Sequence, residues 1–356
     1  MRVLHIIDEP YDSGIVQYAL KVADGMRRRG HESRVWGLES CFPVREAERL
    51  GLPAAGYTHP WLNLPTLRRR LREDGIELLV AHTGSSHTLG IAVAAWHGPH
   101  RIPVIRTRGD ARPLKPRPGR RLQWKNSSGF IAANRRILED HLRLYNGMSI
   151  PAELIYEGSA DPGEMLPPAG GAPTVGIVGR LDPVKGHAIF LEAAAIVLKS
   201  YPDARFIIVG RQENITSGDL LRQAHALSIA ERVELTGHVP KVADYMQRCH
   251  IGVIASLGSE AVSRAAVEWM AVGRPLVATR VGCLPEYVVD GETGQLVNPR
   301  DPQALAAALG RLIGDSFLRE QQGRAARTRF TELFTLDRFL DQTERFYERT
   351  LQPVSS

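Results

Sequence analysis

With 356 residues the chain is long enough for two domains with full cores, and its 43% hydrophobic content and 33 glycines suit an ordinary α/β protein. Cys41, Cys249 and Cys283 are far apart and odd in number, which excludes a disulfide framework and a cysteine metal site and points to a reducing cytosol. No leader pattern and no run of eighteen apolar residues occurs, so no membrane-spanning helix is expected; the net charge of +6 is modest but unevenly placed.

Residues 2–7 (RVLHII) predict a strand, 8–14 a loop, 15–29 an amphipathic helix stopped by Gly30, and 33–38 a second strand. Strand, Gly-bearing loop, helix and strand is the opening unit of a doubly wound sheet. Gly14 would let a ligand approach the helix N-terminus, or serves as a plain turn glycine. No G-x-G-x-x-G or Walker lysine pattern occurs here, which disfavours an ordinary dinucleotide or NTP site. Residues 64–72 (LPTLRRRLR) read as a helix with a basic face and 77–81 as a strand, with His82 at its carboxyl end. Open α/β sheets bind ligands at that end, so His82 is either a proton-trading group or a structural histidine. A helix near 88–97 and a strand at 104–107 follow. Residues 106–125 hold Arg106, Arg108, Arg112, Lys115, Arg117, Arg120, Arg121 and Lys125 among prolines and glycines, and read as one long loop. So many like charges suit an anionic partner; the plain alternative is a solvated loop. A strand at 129–133, a helix to about residue 145 and a strand at 153–156 complete the first half.

Residues 161–173 (DPGEMLPPAGGAP) lack periodicity and have the composition of an interdomain linker. The pattern then restarts, with strands at 175–179, 206–209, 233–235 and 251–255 and helices at 186–200, 219–229 and near 242–247. A turn and short strand at 291–299 and helices at 301–314, 317–331 and 336–350 close the chain. Two successive βα arrays predict two Rossmann-like domains facing each other across a cleft: 1–163 and 174–335, joined by a linker at 164–173, with a terminal helix in 336–356. Arg180 and Lys185, in GRLDPVKGH, fall in the loop after the first strand of the second half, just before a helix. A guanidinium and an ammonium there suit a pyrophosphate, whose charge grows as a sugar leaves it. A solvated basic loop is the alternative.

Residues 255–285 (ASLGSEAVSRAAVEWMAVGRPLVATRVGCLP) predict a strand end, a polar loop, a helix, a Gly-Arg-Pro turn, a second strand and another loop. Glu268 stands in an apolar run, where a carboxylate is costly unless something satisfies it. Glu260 lies eight residues earlier, and eight helical residues rise about 12 Å, roughly the reach from a sugar across a diphosphate to a ribose. The amides of Ala261, Val262 and Ser263 would sit between the two acids as a helix N-terminus open to an anion. Equally, the two acids are an N-cap and a partner for Arg264 or Arg274.

From about residue 175 to 309 the chain resembles the retaining glycosyltransferases of family 4, which have the GT-B architecture. The resemblance rests on VGRLDPVKG, the E-x7-E spacing of Glu260 and Glu268, EWMAVGRPLVATRVGCLPE, DGETGQLV and DPQALAAAL, in the family's order. The first half resembles it more weakly, through Gly14, RRRGHESRVW and VAHTGSSHTLG. The resemblance implies that Arg180 and Lys185 hold the nucleotide diphosphate, Glu268 the ribose and Glu260 the donor sugar. It implies too that Gly14 lies beside the diphosphate, that His82 faces the reacting sugar and acceptor, and that the last helix crosses back onto the first domain. It implies no metal, in keeping with the lack of an Asp-x-Asp pair. Ala261-Val262-Ser263 replaces the family's usual Gly-Phe-Gly, Ser13-Gly14 its Gly-Gly, and Tyr156-Glu157-Gly158 its Pro-Asn-Gly.

The expected protein is therefore a two-domain GT-B transferase moving a sugar, with retention, from a nucleotide sugar to a glycan or lipid-linked acceptor in bacterial cell-surface polysaccharide or lipopolysaccharide synthesis. Glu260, His82, Arg180 and Lys185 are the expected catalytic set. Gly14, Ala261, Val262, Ser263 and Glu268 complete the donor side, and Arg106 and Arg108 join His82 on the acceptor side. The expected location is the cytoplasm, peripheral to the inner membrane face, with nucleotide sugar and acceptor as partners and no cofactor. The alternatives are a GT-B epimerase or phosphorylase, or a nucleic-acid-binding protein using residues 106–125. Trp124 is the one aromatic in that stretch, too few for a stacking platform.

Overall fold

The structure, a computed structural model, describes residues 1–59, 61–95, 101–110, 112, 114–115, 118–163, 168, 171–258 and 260–352. They form two compact units, Met1–Glu157 with Asp337–Ser356, and Gly158–Leu336.

The first unit is built on strands β1 (Arg2–Ile7), β2 (Glu32–Leu38), β3 (Ala54–Tyr57), β4 (Leu78–Ala81), β5 (Val104–Arg108), β6 (Gly129–Ala132) and β7 (Ala152–Leu154). They pair in parallel in the order β3-β2-β1-β4-β5-β6-β7. Between them run α1 (Gly14–Arg28), α2 (Phe42–Arg49), α3 (Leu64–Glu73), α4 (Gly84–Ala94), α5 (Arg120–Lys125) and α6 (Arg135–Leu144). Helices on both faces explain why β1 and β4 are near-continuous apolar runs and not alternating ones. Val16, Ala19, Leu20 and Ala23 of α1 pack with Ile7 and Val35 on one face, while Leu67, Leu71, Leu89 and Val93 pack with Leu4, Ile6 and Leu79 on the other.

Several sequence expectations need correction here. Helix α2 and strand β3 were not expected: α2 buries only Pro43, Val44 and Ala47, and β3 is a four-residue edge strand (AAGY) with no β-branched residue. Residues 106–125 are not one loop. Arg106 and Arg108 lie in β5, and residues 120–125 coil into α5 because Trp124 is buried among His87, Phe130, His141 and Tyr145, with ring centroids 4.5–5.3 Å away. Tertiary burial thus overrides the weak local pattern. Helix α4 starts earlier than expected, at Gly84, because Thr83 and Ser86 form a reciprocal capping box. Its expected end at residue 97, and Arg117, lie outside the described residues, as does most of the expected linker at 164–173.

The second unit carries β8 (Thr174–Val178), β9 (Arg205–Val209), β10 (Val233–Gly237), β11 (Ile251–Ile254), β12 (Leu276–Thr279) and β13 (Gly294–Val297), parallel in the order β10-β9-β8-β11-β12-β13. Its helices are α7 (His187–Leu198), α8 (Ser217–Ala226), α9 (Val242–Arg248), α10 (Arg264–Ala271), α11 (Leu284–Tyr287), α12 (Pro302–Gly314) and α13 (Ser316–Leu333). Fully buried Trp269 of α10 lies against Gly252 of β11 and Gly176 of β8, where an added Cβ would sit 2.4 Å and 2.8 Å from the indole. Only glycine leaves a large ring that close to a strand, so α10 has one seating.

Residues 158–163 belong to the second unit and not to the first half: Arg327 of α13 grips Asp161 with two bonds of 2.7 and 2.9 Å, and Ser159 pairs with the chain at Phe334 and Leu336. The last helix, α14 (Leu336–Leu351), is part of the first unit from Asp337 onward. It buries Phe339, Leu340, Phe346 and Tyr347 there, and Arg29 bonds Asp341 at 2.6 Å and Glu344 at 2.8 Å. Among the described residues no helix is long and apolar enough to cross a membrane.

Candidate functional site

The strand order of the second sheet reverses between β8 and β11. At such a reversal the outgoing loops part and leave a crevice at the carboxyl ends. The loop leaving β8 carries Arg180 and Lys185. Asp182 accepts from the Val184 N–H at 2.9 Å and the Asn214 amide at 2.6 Å, folding Pro183–Lys185 into one tight turn. Burial opposes the Asp182 charge, yet those two donors and the charges of Arg180 and Lys185 hold its carboxyl below the usual range. The Leu257 N–H donates to the Val184 carbonyl at 2.8 Å, joining this loop to the one leaving β11. Gly186 ends the turn at φ +74, and a Cβ there would lie 2.0 Å from the Ala255 oxygen.

Glu260, in the second of these loops, is 2% exposed. Its Oε1 accepts from Lys185 Nζ at 2.6 Å and from Ser256 Oγ at 2.5 Å. Its backbone carbonyl accepts from the Cys283 N–H at 2.7 Å, and Gly282, at φ +56, passes so close that a Cβ would lie 1.9 Å away. A buried carboxylate is tolerated when paired and hydrogen-bonded in this way. Lys185 and Glu260, 75 positions apart in the chain, thus form one site. Arg180, in the same loop as Lys185, is 48% exposed, with Glu213 3.6 Å away, and its charge acts on Asp182 as that of Lys185 does. Exposed pairs of this kind contribute roughly 0–1 kcal/mol and yield readily to a stronger anion.

Helix α10 begins only at Arg264, so Glu260, Ala261, Val262 and Ser263 are loop. The expected 12 Å helical rise between Glu260 and Glu268 therefore does not apply. Ala261 and Ser263 are buried and Val262 half-buried; Glu268 is half-buried on α10 between buried Val267 and Trp269. Arg274, one candidate partner for the acids, is buried and donates to the carbonyls of Cys249, Val272 and Gln247 at 2.8–3.3 Å. Among the described residues no group of His, Cys, Asp and Glu is placed to hold a metal ion.

In the first unit, Gly14 opens α1, where a Cβ would meet nothing within 4 Å. His82 is interior, which does not match the expectation that it faces sugar and acceptor. It is 2% exposed, its Nε2 lies 3.0 Å from His5 Nδ1, and its Nδ1 lies 2.8 Å from the Thr107 hydroxyl. Burial, then the neighbouring His5 ring and the Arg106 charge, which oppose a second positive charge there, hold its pKa well below the ordinary value, so the ring is neutral. Arg106 is also interior, donating to the carbonyls of Ala81 and Thr107, and burial pulls its pKa down to about 9. Arg108 bonds Asp110 at 3.1 Å and the Arg112 carbonyl. Among the described residues of this stretch, the exposed cations are Arg112, Lys115, Arg121 and Lys125. Trp124, buried, offers no face to a nucleic-acid base.

Sequence reasoning missed Ser256, Asp182, Gly186 and Gly282. It also missed His5, although a polar residue inside an apolar strand is the same signal that singled out Glu268.

Two family patterns match the chain: Glycosyltransferase Family 4 over residues 13–158 and Glycosyl transferases group 1 over residues 172–315. The chain belongs to glycosyltransferase family 4. The group 1 match takes in Arg180, Lys185, Glu260 and Glu268 of this family 4 chain. A D-inositol 3-phosphate glycosyltransferase of Corynebacterium diphtheriae is 37% identical over 155 residues, 42% of this chain and 36% of that protein. One from Corynebacterium urealyticum is 36% identical over 40% of this chain and 35% of its own length. The family 4 chain thus spans little more than a third of the first curated relatives it matches. A phosphatidyl-myo-inositol mannosyltransferase of Mycobacterium leprae is 27% identical over 350 residues, 90% of each chain. Among solved structures, Anabaena HepE in complex with UDP superposes with a TM-score of 0.83 at 20% identity over 98% of this chain and 100% of its own. A glycosyltransferase from Rickettsia africae gives 0.85 at 16% identity over 99% of this chain and 98% of its own. The fold is GT-B.

Proposed function

We propose that the protein transfers a sugar, with retention of configuration, from a nucleotide diphosphate sugar to an acceptor hydroxyl. The observation that carries this reading is the Lys185–Glu260 pair at the strand-order reversal, with Arg180 in the same loop as Lys185. An ammonium has three donors; one is spent on Glu260, and two are left for phosphate oxygens. Arg180, paired with an exposed acid, exchanges Glu213 for the diphosphate. As the sugar–phosphate bond breaks, negative charge grows on the leaving diphosphate, and two prepositioned cations stabilise that charge more than the ground state. They take the place of a divalent ion, so the reaction needs no metal. Glu260 accepts from hydroxyls of the donor sugar and Glu268 from the ribose, with the loop of Ala261, Val262 and Ser263 beside the phosphates.

The acceptor is a glycan or lipid-linked hydroxyl compound bearing phosphate, used in cell-surface polysaccharide or lipopolysaccharide assembly at the cytoplasmic membrane face. Its anionic character is supported by the exposed Arg112, Lys115, Arg121 and Lys125, and by relatives whose names carry phosphorylated inositols. Wild type and Lys185→Ala are incubated with UDP-, GDP- and ADP-sugars and the released nucleoside diphosphate is measured. Loss of one preorganised cation lowers turnover on the order of 100-fold at a temperature where circular dichroism shows the variant, destabilised by the unpaired Glu260 charge, still folded. Near-normal release by the variant rejects the assignment.

A further inference from the structure

Both bonds that described residues make to the Glu260 carboxylate fall on Oε1, one from Lys185 Nζ and one from Ser256 Oγ. The two donors differ in how they are held. Ser256 is 1% exposed, its carbonyl accepts from the Thr279 hydroxyl at 2.7 Å, and the next N–H, of Leu257, is fixed to the Val184 carbonyl. Its backbone is therefore fixed by the join between the two loops, and the hydroxyl sits on a short, buried side chain with little reach beyond Glu260 Oε1. Lys185 is 27% exposed on a flexible four-carbon stem, free to turn toward an anion.

We infer that Ser256 is a positioning residue that holds Glu260 Oε1 while Lys185 shifts between the carboxylate and a diphosphate, which leaves Oε2 aimed at the donor sugar. Without the serine hydroxyl, Lys185 is the sole partner of a buried charge. The carboxylate then follows the ammonium toward the phosphates, and the sugar loses its acceptor. The inference rests on the donor-binding reading above.

The test uses the full chain, wild type, Ser256→Ala and Ser256→Thr. Calorimetric titration measures affinity for UDP, GDP and ADP, and for UDP-glucose, UDP-N-acetylglucosamine, GDP-mannose and ADP-glucose. In Ser256→Ala the affinity for the bare diphosphate stays within about twofold, while the gain from the attached sugar falls roughly tenfold, the worth of one charge-assisted hydrogen bond. Ser256→Thr, which keeps the hydroxyl, restores that gain. A merely structural serine would weaken both ligands equally. If the alanine variant does not fold, Ser256→Cys, of similar size but a weak donor, is read by the same ratio. Wild type that binds none of the diphosphates overturns the donor reading and this inference with it. Wild type that binds a diphosphate overturns the inference alone if the sugar adds nothing, or if the ratio survives removal of the hydroxyl.

Discussion

Gly186→Ala probes the join between the two loops that form the site. Gly186 sits at φ +74, ψ 26, the left-handed region, where an alanine costs about 1–2 kcal/mol. Its Cβ would also lie 2.0 Å from the Ala255 oxygen and 2.8 Å from the carbonyl carbon, both backbone atoms at the end of β11. Relieving such a clash moves a strand end, at about 1–3 kcal/mol. The expected loss of stability is therefore about 2–5 kcal/mol. Gly291→Ala is the control: Gly291 has φ +80 with nothing within 4 Å of a Cβ, so it carries the strain alone, about 1–2 kcal/mol. Urea unfolding followed by circular dichroism gives both values. Nucleoside diphosphate affinity should fall in the first variant only, since Gly186 directly follows Lys185 and its displacement carries Nζ away from Glu260. If Gly186→Ala is no less stable than Gly291→Ala, the two loops do not meet as described.

Glu268→Gln should weaken bare UDP, GDP or ADP on the order of tenfold, because an amide accepts from two hydroxyls less well than a carboxylate; unchanged affinity in a calorimetric titration removes the ribose role. Sugar transfer should persist in excess EDTA, and complete loss restored by magnesium or manganese would contradict the two-cation account. The first unit should be acid-labile. Burial lowers His5 to about 3, and burial with the Arg108 charge lowers His141 to about 4. The fold keeps both neutral while the unfolded chain takes up protons below about 6.5, so stability is full above that pH and is lost as pH falls toward the folded values. Each such histidine costs about 1.4 kcal/mol per pH unit in that window, and His141→Phe should remove its share of the slope; an unchanged urea midpoint profile refutes this. Changing Arg112, Lys115, Arg121 and Lys125 to serine should abolish salt-reversible binding to anionic liposomes, and equal wild-type binding to neutral vesicles would show that the charge is ordinary surface.

The residues proposed for the donor side could be singled out because each is a chemical type at a fixed local spacing. A lysine and an arginine before a helix, or a glutamate in an apolar run, announces itself within ten positions. The first unit was less legible. Residues 120–125 look like loop until Trp124 is seen buried, and Arg106 looks like surface until its carbonyl partners on β4 and β5 are counted. Arginine and histidine carry no sequence mark that separates a solvated side chain from one satisfied by backbone.

By itself the sequence determined that two parallel α/β arrays follow one another, and which loops carry cations and acids. Periodicity and turn chemistry act over a few residues and need no partner. Only the tertiary structure decided that Lys185, Ser256 and Glu260 share one carboxylate oxygen, and that His82 is closed in between His5 and Thr107. It also decided that the last helix completes the first unit. Such pairings join residues as many as 315 positions apart, as Arg29 and Glu344 are. Their energy comes from burial and from hydrogen bonds that exist only once the sheet of their own unit has formed, so no local pattern encodes them.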